Sequence, residues 1–121
     1  MSQDIVQISK LPEKERENAM EKLFEGLMKM NDDKAKLDAL KSLIKEMVEK
    51  ATDDEYINLC LTNLKIASKL PDEQLKPFIQ LRLRASQELP ANLSKRDNDM
   101  MQKALKMLDP KTAEKISRNM R

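Results

Sequence analysis

The side chains that most often carry out catalysis are scarce in this chain. Its 121 residues include no histidine, one cysteine (Cys60) and one glycine (Gly26). Histidine-dependent triads and zinc sites are therefore excluded, and no thiolate nucleophile is expected because Cys60 lies in an apolar segment. Gly26 lies inside a helical segment, which excludes a glycine-rich phosphate loop. We expect this glycine to permit the close approach of a neighbouring helix.

Carboxylates are the remaining candidates for catalysis or metal binding. Glu46 and Glu49 have a spacing that can hold a cation on a helix, but Glu46 is predicted to face solvent and no second acidic pair follows at a matching spacing. Asp97 and Asp99 do not form a calcium loop, which needs about twelve residues and a central glycine. We therefore predict no metal, no cofactor and no enzymatic activity, with a carboxylate–metal enzyme as an alternative.

The composition favours a helical protein. Hydrophobic residues make up 40% and charged residues 36% of the chain, and a single glycine leaves few of the left-handed positions that hairpin turns need. Helix-start signals recur near residues 12, 31, 52, 71, 90 and 110, at intervals of 19 to 21 residues. We predict an all-α protein of five to six antiparallel helices, arranged as a single compact bundle or as a short helical-repeat array of the HEAT type.

The chain is predicted to be one domain, residues 1–121, in which residues 1–10 are flexible or loosely docked. Two helices are expected to be interrupted. Residues 71–76 are predicted to form a short turn before the main helix begins at Pro77, because proline breaks a helix interior. Residues 91–96 are predicted to be a loop that precedes the next helix.

The segment 56–70 is predicted to be the central helix of the domain. Its apolar side chains cover about 220° of the helix circumference, so more than one side must be buried. Cys60 is expected to be buried there, and Asn63 projects within the apolar arc, where it needs a hydrogen-bond partner.

Arg82 is an arginine on the apolar face of the following helix. Charged side chains are rarely buried unless they are paired. Either Arg82 forms a structural ion pair or hydrogen bond, for example with Asp97 or Asn63, or it lies in a groove that receives an acidic ligand.

Charge is distributed unevenly along the sequence. Residues 1–60 carry a net charge of −4 and residues 61–121 a net charge of +6. This asymmetry indicates an acidic partner, a nucleic acid or contact between copies of the chain. We predict a non-enzymatic interaction or adaptor domain whose basic second half binds a partner protein with an acidic surface; the candidate contact residues are Arg82, Arg84, Arg96, Met100 and Met101.

Nucleic-acid binding and self-association are the alternative interactions. The isoelectric point near 8.6 and the three aromatic residues provide little support for nucleic-acid binding. No apolar run reaches the roughly 18 residues of a membrane span, and a lone cysteine fits a reducing compartment. We therefore predict a cytoplasmic protein without membrane contact.

Overall fold

Helices account for most of the chain that is described. The computed structural model describes residues 4–121, which form α1 (Ile5–Ser9), α2 (Glu13–Met28), α3 (Asp33–Lys50), α4 (Asp53–Ala67), α5 (Asp72–Gln87), α6 (Ala91–Met107) and α7 (Pro110–Asn119). No strand occurs between residues 4 and 121, which confirms the all-α class. Seven helices are present in this range rather than five or six because the short α1 precedes the first predicted one.

The helices begin where local capping signals predict. Each of the six predicted start positions lies within two residues of an observed start. At α4, Thr52 Oγ1 accepts a hydrogen bond from the Glu55 N–H, and the Glu55 carboxylate accepts one from the Thr52 N–H. Helices α3 and α7 have a simple cap: Asp32 accepts a hydrogen bond from the Lys34 N–H, and Asp109 accepts one from the Thr112 N–H.

The two predicted interruptions are wrong. Helix α5 continues through Pro77, whose ring removes the hydrogen bond to the carbonyl of Glu73. Both residues are exposed, so water can bond that carbonyl. Helix α6 begins at Ala91 because Pro90 is at its N-cap, where the missing N–H is not needed, so residues 91–96 are helical.

The N-terminal segment is part of the core. Ile5, Val6 and Ile8 are only 4 to 6% exposed, and Asp4 caps α1 through the backbone N–H of Val6. The expectation of a flexible or loosely docked segment is therefore wrong for residues 5–9. Residues 1–3, which belong to the same expectation, lie outside the described residues.

Each helix packs against the next helix but one. Helix α1 packs on α3, α3 on α5 and α5 on α7, while α2 packs on α4 and α4 on α6. The contact of α1 with α4 is likewise reproduced by α3 with α6. These contacts repeat every two helices and arrange the chain as two rows, α1–α3–α5–α7 and α2–α4–α6.

Side-chain hydrogen bonds between helices also join positions that are about two helices apart in the sequence. Apart from the pair Arg82–Asp97, the side-chain hydrogen bonds between helices described here join residues 39 to 48 positions apart. Arg16 bonds Thr62, and further along α2 Glu21 bonds Lys69. Because both residue numbers increase together, α2 and α4 run in the same direction.

Helix α4 has the central position predicted for it. It contacts α1, α2 and α6, and seven of its fifteen residues are buried. Cys60 is 4% exposed, and burial raises the pKa of its thiol to about 12. The thiol is therefore protonated at neutral pH.

The expected role of Gly26 is wrong. Its position in α2 is exposed, and a Cβ atom built on it would have no heavy atom within 4 Å. Gly26 therefore does not permit a close helix contact.

Candidate functional site

Arg82, which is partly buried, forms an ion pair with the buried Asp97. Its two terminal nitrogens donate to the two carboxylate oxygens of Asp97, both at 2.8 Å. The hydroxyl of Tyr56 donates to Asp97 Oδ1 at 2.5 Å. Of the two alternatives for Arg82, the structure shows the structural pair. The cluster ties α4, α5 and α6 together.

The electrostatics of this cluster fix the charge on each member. Burial alone would raise the pKa of Asp97, but the positive charge and hydrogen bonds of Arg82, with the Tyr56 hydrogen bond, hold that pKa below its ordinary value of 3.8. Burial and the neighbouring Asp97 carboxylate raise the pKa of Tyr56. At neutral pH the carboxylate is ionised and the phenol protonated, so the cluster is a stable neutral unit rather than an acid–base pair.

Arg96 is engaged at the C-terminal end of α3. Its guanidinium donates to the backbone carbonyls of Val48 and Ala51 and to Asp53 Oδ1, the last at 2.9 Å. It also lies over the ring of Tyr56, 5.3 Å from the ring centroid. A cation at carbonyls that have no partner within the helix stabilises that helix end. Arg96 therefore holds α3 against α6.

The remaining predicted contact residues lie in different surroundings. Met100 is buried, at 4% exposure, and Met101 is half-buried. Arg84 is exposed and pairs with Glu88 at 2.8 Å, one helical turn along α5. The five residues predicted to bind a partner therefore do not form one exposed surface.

The exposed side of α6 carries a different set of basic residues. Lys95, Lys103 and Lys106 are exposed, and none of them forms an ion pair within residues 4–121. Asp99 is exposed on the same side and offsets part of their charge. Met107, one helical turn from Lys103 and next to Lys106 in sequence, is 62% exposed, more than any other large hydrophobic side chain in this part of the chain. We call Lys95, Asp99, Gln102, Lys103, Lys106 and Met107 the α6 face.

Sequence reasoning selected arginines and missed this face. The signal was present in the spacing of Lys95, Gln102 and Lys106, which share one side of a helix. It could not be interpreted without the packing, because any exposed helix carries a polar side. The packing adds that α6 lies against α3, α4 and α5 and that the side chains on this side stay exposed.

The predicted acidic pair does not form a metal site. Glu46 lies 3.9 Å from the Nζ of Lys50, and Glu49 is exposed. Within residues 4–121 no group of three or more histidine, cysteine, aspartate or glutamate side chains is arranged to hold a metal ion. None of the helices in that range is both long enough and apolar enough to cross a bilayer.

Comparisons of the chain with protein families, with curated proteins and with solved structures give no match.

Proposed function

We propose that the chain is a short helical-repeat array that binds an acidic protein segment through the α6 face. The repeat of helix contacts every two helices favours an array over an up-and-down bundle. In such arrays each unit contacts only its neighbours, and the stacked units present an extended surface to partners. In this proposal the domain acts by binding, without chemistry of its own, in the cytoplasm.

The observation that carries the proposal is the exposure of Met107 beside unpaired lysines. Single exposed apolar side chains are ordinary, but Met107 adjoins Lys103 and Lys106, whose charges no carboxylate of residues 4–121 pairs. Methionine is enriched at interfaces because its flexible side chain adapts to a partner. The α6 face thus combines an adaptable apolar contact with a rim of positive charge.

This combination specifies the chemistry of the partner. Complementary charge raises the association rate and selects the partner, while a buried apolar side chain supplies affinity. A partner segment that fits this face has an apolar side chain that packs on Met107. It also has carboxylates that pair with Lys103 and Lys106. Nucleic acid fits less well because the α6 face has no aromatic side chain for base stacking.

The test is a selection of short displayed peptides on the full chain, followed by binding measurements on variants. We expect the selected peptides to combine aspartate or glutamate with an apolar residue. The double variant Lys103→Glu/Lys106→Glu should weaken their binding by about tenfold or more. Its melting temperature should match that of the unaltered protein, because neither lysine is buried or paired.

The matched control is Lys34→Glu/Lys45→Glu on α3, which makes the same change in net charge at two exposed lysines. It should leave peptide binding nearly unchanged. The proposal would be contradicted if both double variants lost the same amount of peptide affinity, or if the selection yielded no binding peptide. A generic oligonucleotide that binds the α6 face more tightly than the peptides, with steep salt dependence, would favour the nucleic-acid alternative.

A further inference from the structure

A cavity of about 90 Å³ lies between the two helix rows. Its wall comes mainly from α2, α3, α4 and α5 and is almost entirely apolar, with side chains such as Phe24, Ile44 and Leu64. Apolar cavities of this kind stay dry, and one of about 150 Å³ takes up benzene. By volume, the cavity here accommodates an alkyl group of about three to five non-hydrogen atoms.

Three hydrogen-bonding side chains besides Cys60 interrupt this apolar wall, and one of them, Tyr56, already donates to Asp97. Asn63 and Arg82 both line the cavity. The hydrogen bonds of Arg82 to Asp97 use only its terminal nitrogens, and neither its Nε–H nor the Asn63 amide bonds another group within residues 4–121. Both side chains are partly exposed and their unbonded atoms reach solvent, so a ligand that brings an acceptor replaces water at the edge of the apolar space.

We infer that the cavity binds a small neutral molecule with a short alkyl body and one oxygen that accepts a hydrogen bond, such as a short-chain alcohol or ketone. The alkyl body fills the apolar space, and the oxygen accepts from Asn63 or from the Nε–H of Arg82. This site is separate from the α6 face and does not depend on the function proposed for that face.

The ion pair of Arg82 and Asp97 disfavours an anionic ligand in the cavity. Asp97 already neutralises Arg82, so a carboxylate in the cavity would leave an unbalanced negative charge away from water. A neutral oxygen satisfies the same donors without that cost. The site therefore discriminates between an alcohol and the carboxylate of the same length.

Two aromatic rings line the cavity and also reach the surface of the protein. Phe24 of α2 and Phe78 of α5 meet edge to face, with ring centroids 4.7 Å apart, and both rings line the cavity while remaining partly exposed.

The experiment is an NMR titration of the full chain with ethanol, 1-butanol and 1-octanol, and with butanoate. We expect saturable shifts of the amides near Cys60, Asn63 and Ala67, which line the cavity. The affinity should be highest for 1-butanol, because ethanol fills less of the volume and 1-octanol exceeds it. Butanoate should produce no saturable shift at these residues.

Paired substitutions provide the controls. Ala67 lines the cavity and Ala85 does not, although both are fully enclosed, at 3% and 0% exposure. Ala67→Val should abolish butanol binding without lowering the melting temperature, whereas Ala85→Val should lower the melting temperature by overpacking and leave binding intact. Asn63→Leu should weaken butanol binding by about two- to tenfold through the lost hydrogen bond.

The inference is overturned if no alcohol binds saturably, if butanoate binds as well as 1-butanol, or if Ala67→Val binds butanol like the unaltered chain.

Discussion

At the scale of single residues, the cluster of Arg82, Asp97 and Tyr56 shows how this core tolerates a charge. Removing an ion pair from water is costly and is offset only when the geometry is good and the remaining polar atoms are bonded. Here a two-pronged contact at 2.8 Å supplies the good geometry and a phenolic hydrogen bond further satisfies Asp97, while the Nε–H of Arg82 has no partner within residues 4–121. The cluster therefore favours one arrangement of α4, α5 and α6.

Asp97→Asn tests that role. The substitution leaves the charge of Arg82 buried without a counter-charge and should lower the free energy of unfolding by about 3 kcal/mol or more at neutral pH. Because the folded state holds the pKa of Asp97 below 3.8, the ionised carboxylate stabilises the fold above that pH, and this contribution is lost as the pH falls through the folded-state pKa. Urea denaturation at a series of pH values gives the free energy of unfolding of both proteins. The difference in this free energy between the unaltered protein and Asp97→Asn should become smaller below pH 3.8. A difference that stays constant in acid would contradict this account.

Tyr56 provides a spectroscopic measure of the same cluster at high pH. It is the only tyrosine, and there is no tryptophan. Its pKa is raised above 10.0 in the folded state by burial and by Asp97, so the stabilisation is complete below pH 10 and is lost as the pH rises further. Tyrosinate absorbance should therefore appear only together with loss of helical circular dichroism. Ionisation of Tyr56 in a protein that remains helical would argue against its burial beside Asp97.

Sequence could predict part of this cluster. The position of Arg82 on an apolar helix face indicates a buried charge, and Asp97 was one of two possible partners. The sequence could not predict that Tyr56 belongs to this cluster, or that Arg96 lies over the ring of Tyr56. Nothing in a local pattern shows which residues about 40 positions apart come into contact, since that depends on the packing of α4 against α6.

At the scale of the helices, Arg96 and Arg84 offer a matched comparison. Both are arginines of the basic second half, but Arg96 bonds the C-terminal carbonyls of α3 whereas Arg84 pairs with Glu88 at the surface. Arg96→Met keeps the aliphatic stem and should lower the free energy of unfolding by about 1.5 to 3 kcal/mol. Arg84→Met should have little effect. Similar losses in chemical denaturation of the two variants would show that Arg96 does not cap α3.

Gly26 offers a stabilising change in α2. Glycine in a helix interior is less favourable than alanine by about 0.5 to 1 kcal/mol because of its greater backbone freedom in the unfolded chain. The added methyl group of Gly26→Ala meets no atom within 4 Å. The free energy of unfolding of the variant, measured by urea denaturation, should be higher by about that amount. A lower free energy of unfolding would indicate a contact with this position that the structure does not show.

Helix starts were predictable because capping is local, whereas helix interruptions were not. The box formed by Thr52 and Glu55 can be identified from four consecutive residues. Whether Pro77 breaks α5 depends instead on the surroundings of the Glu73 carbonyl. Both residues are exposed, so the lost hydrogen bond is not a buried one and the helix continues.

At the scale of the whole molecule, the basic second half divides into two groups with different surroundings. Arg82 and Arg96 point inward and join helices, while Lys95, Lys103 and Lys106 remain exposed on the last helix of a row. The interval of 19 to 21 residues indicated helices of similar length. It could not indicate two rows, because bundles and arrays share that interval and differ only in which helices are in contact.

The most direct test of the account is NMR of the methionine methyl groups while a selected acidic peptide is added to the full chain. The nine methionines give separate probes of the core and the surface. Met107 is 62% exposed on the α6 face, whereas Met20, Met47 and Met100 are between 2% and 5% exposed. The account predicts a large, saturable shift of the Met107 signal with little change in those three. Saturable binding that leaves Met107 unchanged would contradict it.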